Sequence, residues 1–341
     1  MNRALFTSLL FGVVALPCTQ SSMNHLIAAQ WDTGGIDYLW DSTHVKDEYV
    51  ASNQFQIDNN AIAGVKIAPT KAVFVTVPRW FPGVPSTLNT VVLSSLDTDT
   101  RDTDTNPTLV PWPSWAANAV GGDCTGLQYV QSMEIDAAGL MWVIDVGRIN
   151  IFDATGSLNR CPPKLLIIDT KDGSFVDAPY VFPDEIASHR TNFLNDIVLD
   201  NKRQIAYISD TSGSGGIVVY DRVHRRSQRF ENPATMRADT TGDITWNIGG
   251  HSYPSNWTAA NTPLDGIALS ACGCTLYYTP LASIHLFSIS AAHLRDFGQG
   301  GSSKDSSFAL ANTTIQRLGL KEAPSDGMTF DCAGTLIYGG T

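Results

Sequence analysis

The chain has 341 residues, 16% of them charged, and its 22 Lys and Arg against 33 Asp and Glu leave a net charge of −11. So acidic a chain argues against a nucleic-acid partner, which needs clustered Lys and Arg against phosphate. Its 43% hydrophobic content supports a sizeable core, and all-β chains of this length often fold as one unit.

From the N-terminus, Arg3 precedes the apolar run Ala4–Leu16 and the polar string CTQSS. This is the order of a secretory signal peptide, and the run is too short to span a bilayer. We expect residues 1–21 to be removed, leaving 22–341 as a single extracellular domain with no membrane attachment.

Five blocks then recur: AGVKIAPTKAVFVTV, QSMEIDAAGLMWVID, NDIVLDNKRQIAYIS, DGIALSACGCTLYYT and DGMTFDCAGTLIYGG. Each reads as an apolar strand, a tight turn and a second apolar strand. Their first apolar residues, Val65, Met133, Ile197, Ile267 and Met328, stand 68, 64, 70 and 61 residues apart. A hairpin cannot bury both faces alone, so hairpins repeated at a long, near-constant period must stack on copies of themselves. Third apolar segments (NTVVLSSL, KLLIIDT, GIVVYDR, IHLFSIS) and more polar fourth ones (SFVDAPYVF, SQRFE) give four strands per unit, the pattern of an all-β propeller. Helical spacing is nearly absent; SISAAHLRDFG offers one or two turns. The basic cluster Arg222, His224, Arg225, Arg226 and Arg229 reads as a solvated sheet edge.

With Cys18 lost alongside the signal, Cys124, Cys161, Cys272, Cys274 and Cys332 remain in an oxidising compartment, an odd number that leaves one thiol over. Blade order puts the loops of Cys124 and Cys161 on one face, so these two can be joined. Cys272, Cys274 and Cys332 fall in successive hairpin turns on the opposite face, where a bridge from Cys332 to Cys272 or Cys274 is expected. Sequons at Asn256 (NWT) and Asn312 (NTT) suit a glycoprotein.

The strings VFVTVPRWFPGVPSTLN, CTGLQYVQSMEID, MWVIDVGR, CPPKLLIIDT, FLNDIVLD, AYISDTSGSGGIVVYD and PLDGIALS resemble the yellow and major royal jelly protein family, from about Trp31 to the last residue. The resemblance implies a secreted six-bladed β-propeller with Cys124 and Cys161 at a family disulfide. Five blades are clearly encoded here and the sixth is incomplete or missing, because family members continue past LIYGG. Either the chain is truncated, the reading we favour, or residues such as Ile36–Trp40 supply the last blade. The family includes pigmentation proteins, dopachrome-converting enzymes, salivary binders of biogenic amines and storage-like jelly proteins.

The residue pair ahead of each inner strand faces one mouth of the propeller axis. In four repeats it is polar: Gln131 with Ser132, Asn195 with Asp196, Asp265 with Gly266, and Asp326 with Gly327. Clustered carboxylates repel, so they must protonate, solvate or hold a cation. One reading makes Gln131, Asn195, Asp196, Asp265 and Asp326 a binding site for a small organic cation. A second gives Asn195, Asp265 and Asp326 to calcium, the one cofactor the pattern admits. A third has Asp265 and Asp326 bonding backbone amides of neighbouring blades, with Gly266 and Gly327 allowing close approach.

Other candidates carry less. DTDTRDTDTN, residues 97–106, imitates a calcium loop, but Pro107 and Pro113 stand where a Gly and a Glu are needed. Trp80, Trp112, Trp115 and Trp142 are read as packing rather than an aromatic cage. No hydrolase, zinc or phosphate-loop motif occurs, and no residue identifies itself as catalytic. We expect a small-molecule binder, the ligand amine-like; the alternatives are a dopachrome-conversion-type isomerase using a raised-pKa carboxyl, and a structural or storage protein.

Overall fold

In the computed structural model, residues 29–31, 35–93, 104–239, 246–248, 251–253, 261–298 and 304–339 are described. The signal segment, the Asn256 sequon and most of the acidic loop 97–106 lie outside them.

Each block folds as an antiparallel hairpin. Val65–Ile67 pairs with Val73–Thr76, Val130–Ile135 with Leu140–Asp145, Leu194–Asp200 with Ile205–Asp210, Leu264–Leu269 with Thr275–Pro280, and Met328–Phe330 with Leu336–Tyr338. The turn is encoded three residues after the anchor. Asp136 Oδ1 accepts the Ala138 and Leu140 amides, each at 2.9 Å, Asp200 accepts Arg203 N–H at 3.1 Å, Ser270 accepts Thr275 N–H at 3.0 Å, and Asp331 accepts Thr335 N–H at 2.7 Å. Gly139 and Gly334 then take φ of 84° and 83°, which only glycine adopts without a Cβ penalty. A side-chain acceptor followed by a left-handed residue fixes the loop and hence the register.

The expected third and fourth strands complete four meanders. Leu88–Val91 and Leu109–Pro111 extend the first hairpin, Lys164–Asp169 and Tyr180–Val181 the second, Gly216–Asp221 and Arg226–Phe230 the third, and His285–Ser290 and Gln316–Leu320 the fourth. The first two sheets belong to one compact unit ending at Val181; the other two and the last hairpin belong to a second unit from Phe182 onward. Within each unit the first strands of neighbouring sheets lie side by side, as blades do around an axis. The core lies between sheets. Phe74, Met133, Val143 and Leu166 bury together in the first unit, and Tyr207, Phe230, Ile267 and Tyr278 in the second. Burial of each such side chain contributes about 1.5–3 kcal/mol.

Two readings change. Tyr38 bridges Leu109 in parallel and Leu39 N–H donates to the Leu109 carbonyl at 2.7 Å, so Ile36–Trp40 covers the outer edge of the first sheet rather than making a blade of its own. Trp40 stacks on Trp115 there, ring centroids 4.9 Å apart. Helices Thr43–Ala51 and Lys304–Thr313 were not expected. Thr43–Ala51 buries no residue, so it needs no apolar stripe to betray it, and Ser42 caps it by accepting Val45 N–H at 3.3 Å. SISAAHLRDFG supplies the single turn Ala291–Leu294. The basic stretch is largely paired within its own sheet: Arg226 meets Asp221 at 3.1 Å, and Arg229 meets Asp210 at 2.7 Å and Glu231 at 2.5 Å.

Cys124 and Cys161 are joined, Cα atoms 5.5 Å apart. The expected bridge from Cys332 to Cys272 or Cys274 does not form. Cys272 and Cys274 are joined to each other, because their shared turn around Gly273 holds the Cα atoms 5.3 Å apart, within disulfide range. Cys332 is disulfide-bonded as well, so no described cysteine is left over. Non-reducing peptide mapping should recover Cys124 linked to Cys161. Replacing both by Ala should lower unfolding free energy by about 3–4 kcal/mol, the entropy of the loop they close; an unchanged denaturation midpoint would contradict this.

Candidate functional site

The polar pair ahead of each anchor sits on a backbone irregularity. From Val130 to Met133 the inner strand runs three residues while its partner runs two, from Asp145 to Val143; the same happens from Leu194 to Ile197 and from Leu264 to Ile267. These are β-bulges, which bend a strand and re-aim its side chains. Gln131 and Ser132, Asn195 and Asp196, and Asp265 and Gly266 are the bulged residues. The partner strand secures the backbone just ahead of two of them. Asp145 accepts the Gln128 and Tyr129 amides at 2.8 and 2.9 Å and the Lys164 ammonium at 2.8 Å; Asp210 accepts Phe193 N–H at 2.8 Å and Arg229 at 2.7 Å. Asp145 and Lys164 form a buried ion pair, the kind whose halving costs about 3–5 kcal/mol.

In the first unit Gln131 belongs to a packing network. Its Oε1 accepts from Tyr129 Oη at 2.9 Å and from Trp80 Nε1 at 3.2 Å, and its carbonyl accepts from Thr76 Oγ1 at 2.9 Å. The other tryptophans pack too: Trp142 lies in the core and Trp112 sits edge-on to Phe74 at 4.7 Å.

In the second unit Asn195, Asp196, Asp265 and Asp326 converge. Asn195 Nδ2 donates a short hydrogen bond to Asp265 Oδ1, and both residues are buried. Half-buried Asp196 joins two sheets: its N–H donates to Ser209 Oγ at 2.9 Å, while its carboxylate accepts Ile197 N–H at 2.8 Å and Ile267 N–H at 3.4 Å. A Cβ on Gly266 would overlap the Asp326 carbonyl oxygen, whereas Gly327 faces open space. The close approach expected of both glycines is thus made by Gly266.

The electrostatics single out Asp265. Burial first, then the neighbouring Asp326 and Asp196 carboxylates, hold its carboxyl well above the usual range, against the opposing pull of the Asn195 hydrogen bond and the Lys321 charge. Asp326 is pushed up by its dense surroundings, yet the residue is exposed. Its access to water makes Asp265 the more strongly perturbed of the two. Lys321, which the sequence reading passed over, is buried, donates to Ser325 Oγ at 2.6 Å and is lowered to about 8 by burial, with Asp265 acting the other way. Its one signal was its place, five residues ahead of Asp326 in a loop that also holds Ser325. Calcium takes 6–8 oxygens; here Asn195 turns its amide nitrogen to Asp265, and among the described residues no three His, Cys, Asp or Glu side chains gather as metal ligands.

A family profile described as "Major royal jelly protein" matches residues 128–339. The chain belongs to the major royal jelly protein family. It is 27% identical over 287 residues to "Protein yellow" of Drosophila melanogaster, covering 82% of this chain and 50% of that protein, and 28% identical over 298 residues to its Drosophila guanche counterpart, covering 85% and 49%. It therefore spans about half the length of these relatives. Among solved structures, hydrazine synthase of Kuenenia stuttgartiensis gives a TM-score of 0.48 at 10% identity, covering 82% of this chain and 72% of that one. A nidogen/laminin complex gives 0.45 at 12% identity, covering 84% and 74%.

The glycine asymmetry is directly testable. Gly266→Ala should lower stability by about 2–4 kcal/mol, since the added methyl must displace the backbone of the last hairpin. Gly327→Ala should change it by less than about 0.5 kcal/mol. Equal denaturation midpoints for the two variants would contradict the contact.

Proposed function

We propose that this family member is a secreted binder of a small organic cation of the biogenic-amine kind, held by Asn195, Asp196, Asp265 and Asp326, with neither nucleic acid nor membrane as partner. Asp265 carries this reading. The residue is 3% exposed, and its charge is opposed by burial and by two neighbouring carboxylates. An ammonium placed beside it cancels that repulsion and donates charge-assisted hydrogen bonds in a desolvated setting. The bulges then serve to turn polar side chains out of the strand alternation. The role of Gln131 in this reading is to brace the equivalent bulge in the first unit, not to touch ligand.

Secretion is inferred from the N-terminal segment and from disulfides that persist only in oxidising compartments. Asn312, exposed near the end of Lys304–Thr313, is accessible as a glycan acceptor. One observation favours a second reading. The Asp265 carboxyl is raised and the Lys321 ammonium is lowered to about 8, which brings an acid and a base toward each other, as a dopachrome-conversion-type proton transfer requires. Turnover of a dopachrome substrate, absent in Asp265→Asn, would favour that reading over simple binding.

The binding reading predicts a linked proton. A carboxyl whose folded pKa is raised contributes its stability below the ordinary carboxylate range, and loses it as pH rises through the raised value. A bound cation drives that proton off, so amine affinity should rise with pH across the same window, with proton release visible as a buffer-dependent heat in calorimetry. Asp265→Asn should weaken amine binding by about 1.5–3 kcal/mol. It should also stabilise the ligand-free protein at neutral pH by about 1 kcal/mol. Unchanged amine affinity in this variant would overturn the assignment.

A further inference from the structure

Lys321 is 4% exposed, and its ammonium donates a hydrogen bond to Ser325 Oγ at 2.6 Å, with Ser325 itself wholly buried. An ammonium has three N–H donors. Among the described residues no other acceptor takes a hydrogen bond from it and no carboxylate pairs with it directly. The Tyr338 ring lies 6.0 Å away, and Asp265 is near enough to favour its charge. A buried cation with donors to spare is costly in a folded chain, and its position is not accidental. The Lys321 N–H is tied to the Ile284 carbonyl at 2.7 Å, and the loop that follows delivers Ser325 and Asp326 to the cluster of Asn195 and Asp265.

We propose that Lys321 and Ser325 form an anion-recognising arm of this site, so that its ligand is a zwitterionic, amino acid-like molecule whose ammonium meets Asp265 and Asp326 and whose carboxylate meets Lys321. The inference rests on the cation-binding reading above and narrows it. A simple monoamine would bring a second cation beside a buried ammonium and leave that group's spare donors unmet. A carboxylate supplies the missing acceptors, and a zwitterion adds no net charge to a desolvated site.

Calorimetry on the full chain with phenylalanine and phenethylamine, which share a side chain and an ammonium but differ in the carboxylate, tests the proposal. The parent protein should bind phenylalanine at least about tenfold more tightly. Lys321→Met should bring phenylalanine down to the level of phenethylamine, Lys321→Arg should restore part of the preference, and Ser325→Ala should reduce it a few-fold. A parent that binds both equally, or prefers phenethylamine, overturns this inference and leaves the cation-binding reading standing, and so does a Lys321→Met variant that keeps the preference. Failure of both ligands to bind the parent overturns both. Should Lys321→Met not fold, the parent comparison and the Ser325→Ala variant still decide.

Discussion

Three residues opposed by two, repeated at Val130–Met133, Leu194–Ile197 and Leu264–Ile267, set the terms for everything near the inner strands. Without the extra residue a strand alternates strictly, and a polar pair would place one member in the apolar layer between sheets. With it, the pair leaves the alternation and the anchor that follows returns to the core, where Met133, Ile197 and Ile267 are all buried. The irregularity and the core therefore depend on each other. Asp145 and Asp210 secure the backbone just ahead of two bulges, each with a cation of its own from a strand farther out.

In the second unit this arrangement concentrates carboxyl groups at some cost to stability. Asp196 accepts backbone amides of two neighbouring strands, which fixes where its carboxylate stands. Asp265 is buried among like charges with Asn195 as its partner, and a fold under selection for stability alone would place a neutral side chain there. Groups that are poorly satisfied in the ligand-free protein are where function is sought, because a ligand can supply what the fold withholds. Asp265 and Lys321 meet that description from opposite signs of charge.

Much of this was legible in the sequence because it repeats. The five hairpins, the third strands of four of them and the four polar pairs follow from the spacing of Val65, Met133, Ile197, Ile267 and Met328, and the turn acceptors Asp136, Asp200, Ser270 and Asp331 recur at one offset. What the sequence concealed lacks a period. Thr43–Ala51 buries nothing and so shows no stripe; Ile36–Trp40 looks like a strand, but which edge it covers is a long-range matter. The pairing of Cys272 with Cys274 depends on the geometry of one turn. Lys321 is hidden for a different reason: a lysine in a polar loop reads as solvated, and its burial arises from residues distant in sequence.

Burial and the neighbouring carboxylates oppose the charged form of the Asp265 carboxyl, and the proposed cation would relieve that opposition. Titration of the Asp265 carboxyl by carbon NMR, with Asp265→Asn to assign the resonance, addresses it directly. The expected result is a midpoint well above the ordinary carboxylate range in the free protein and a downward shift when an ammonium ligand is bound. A midpoint in the ordinary range, or one that the ligand leaves in place, would contradict it.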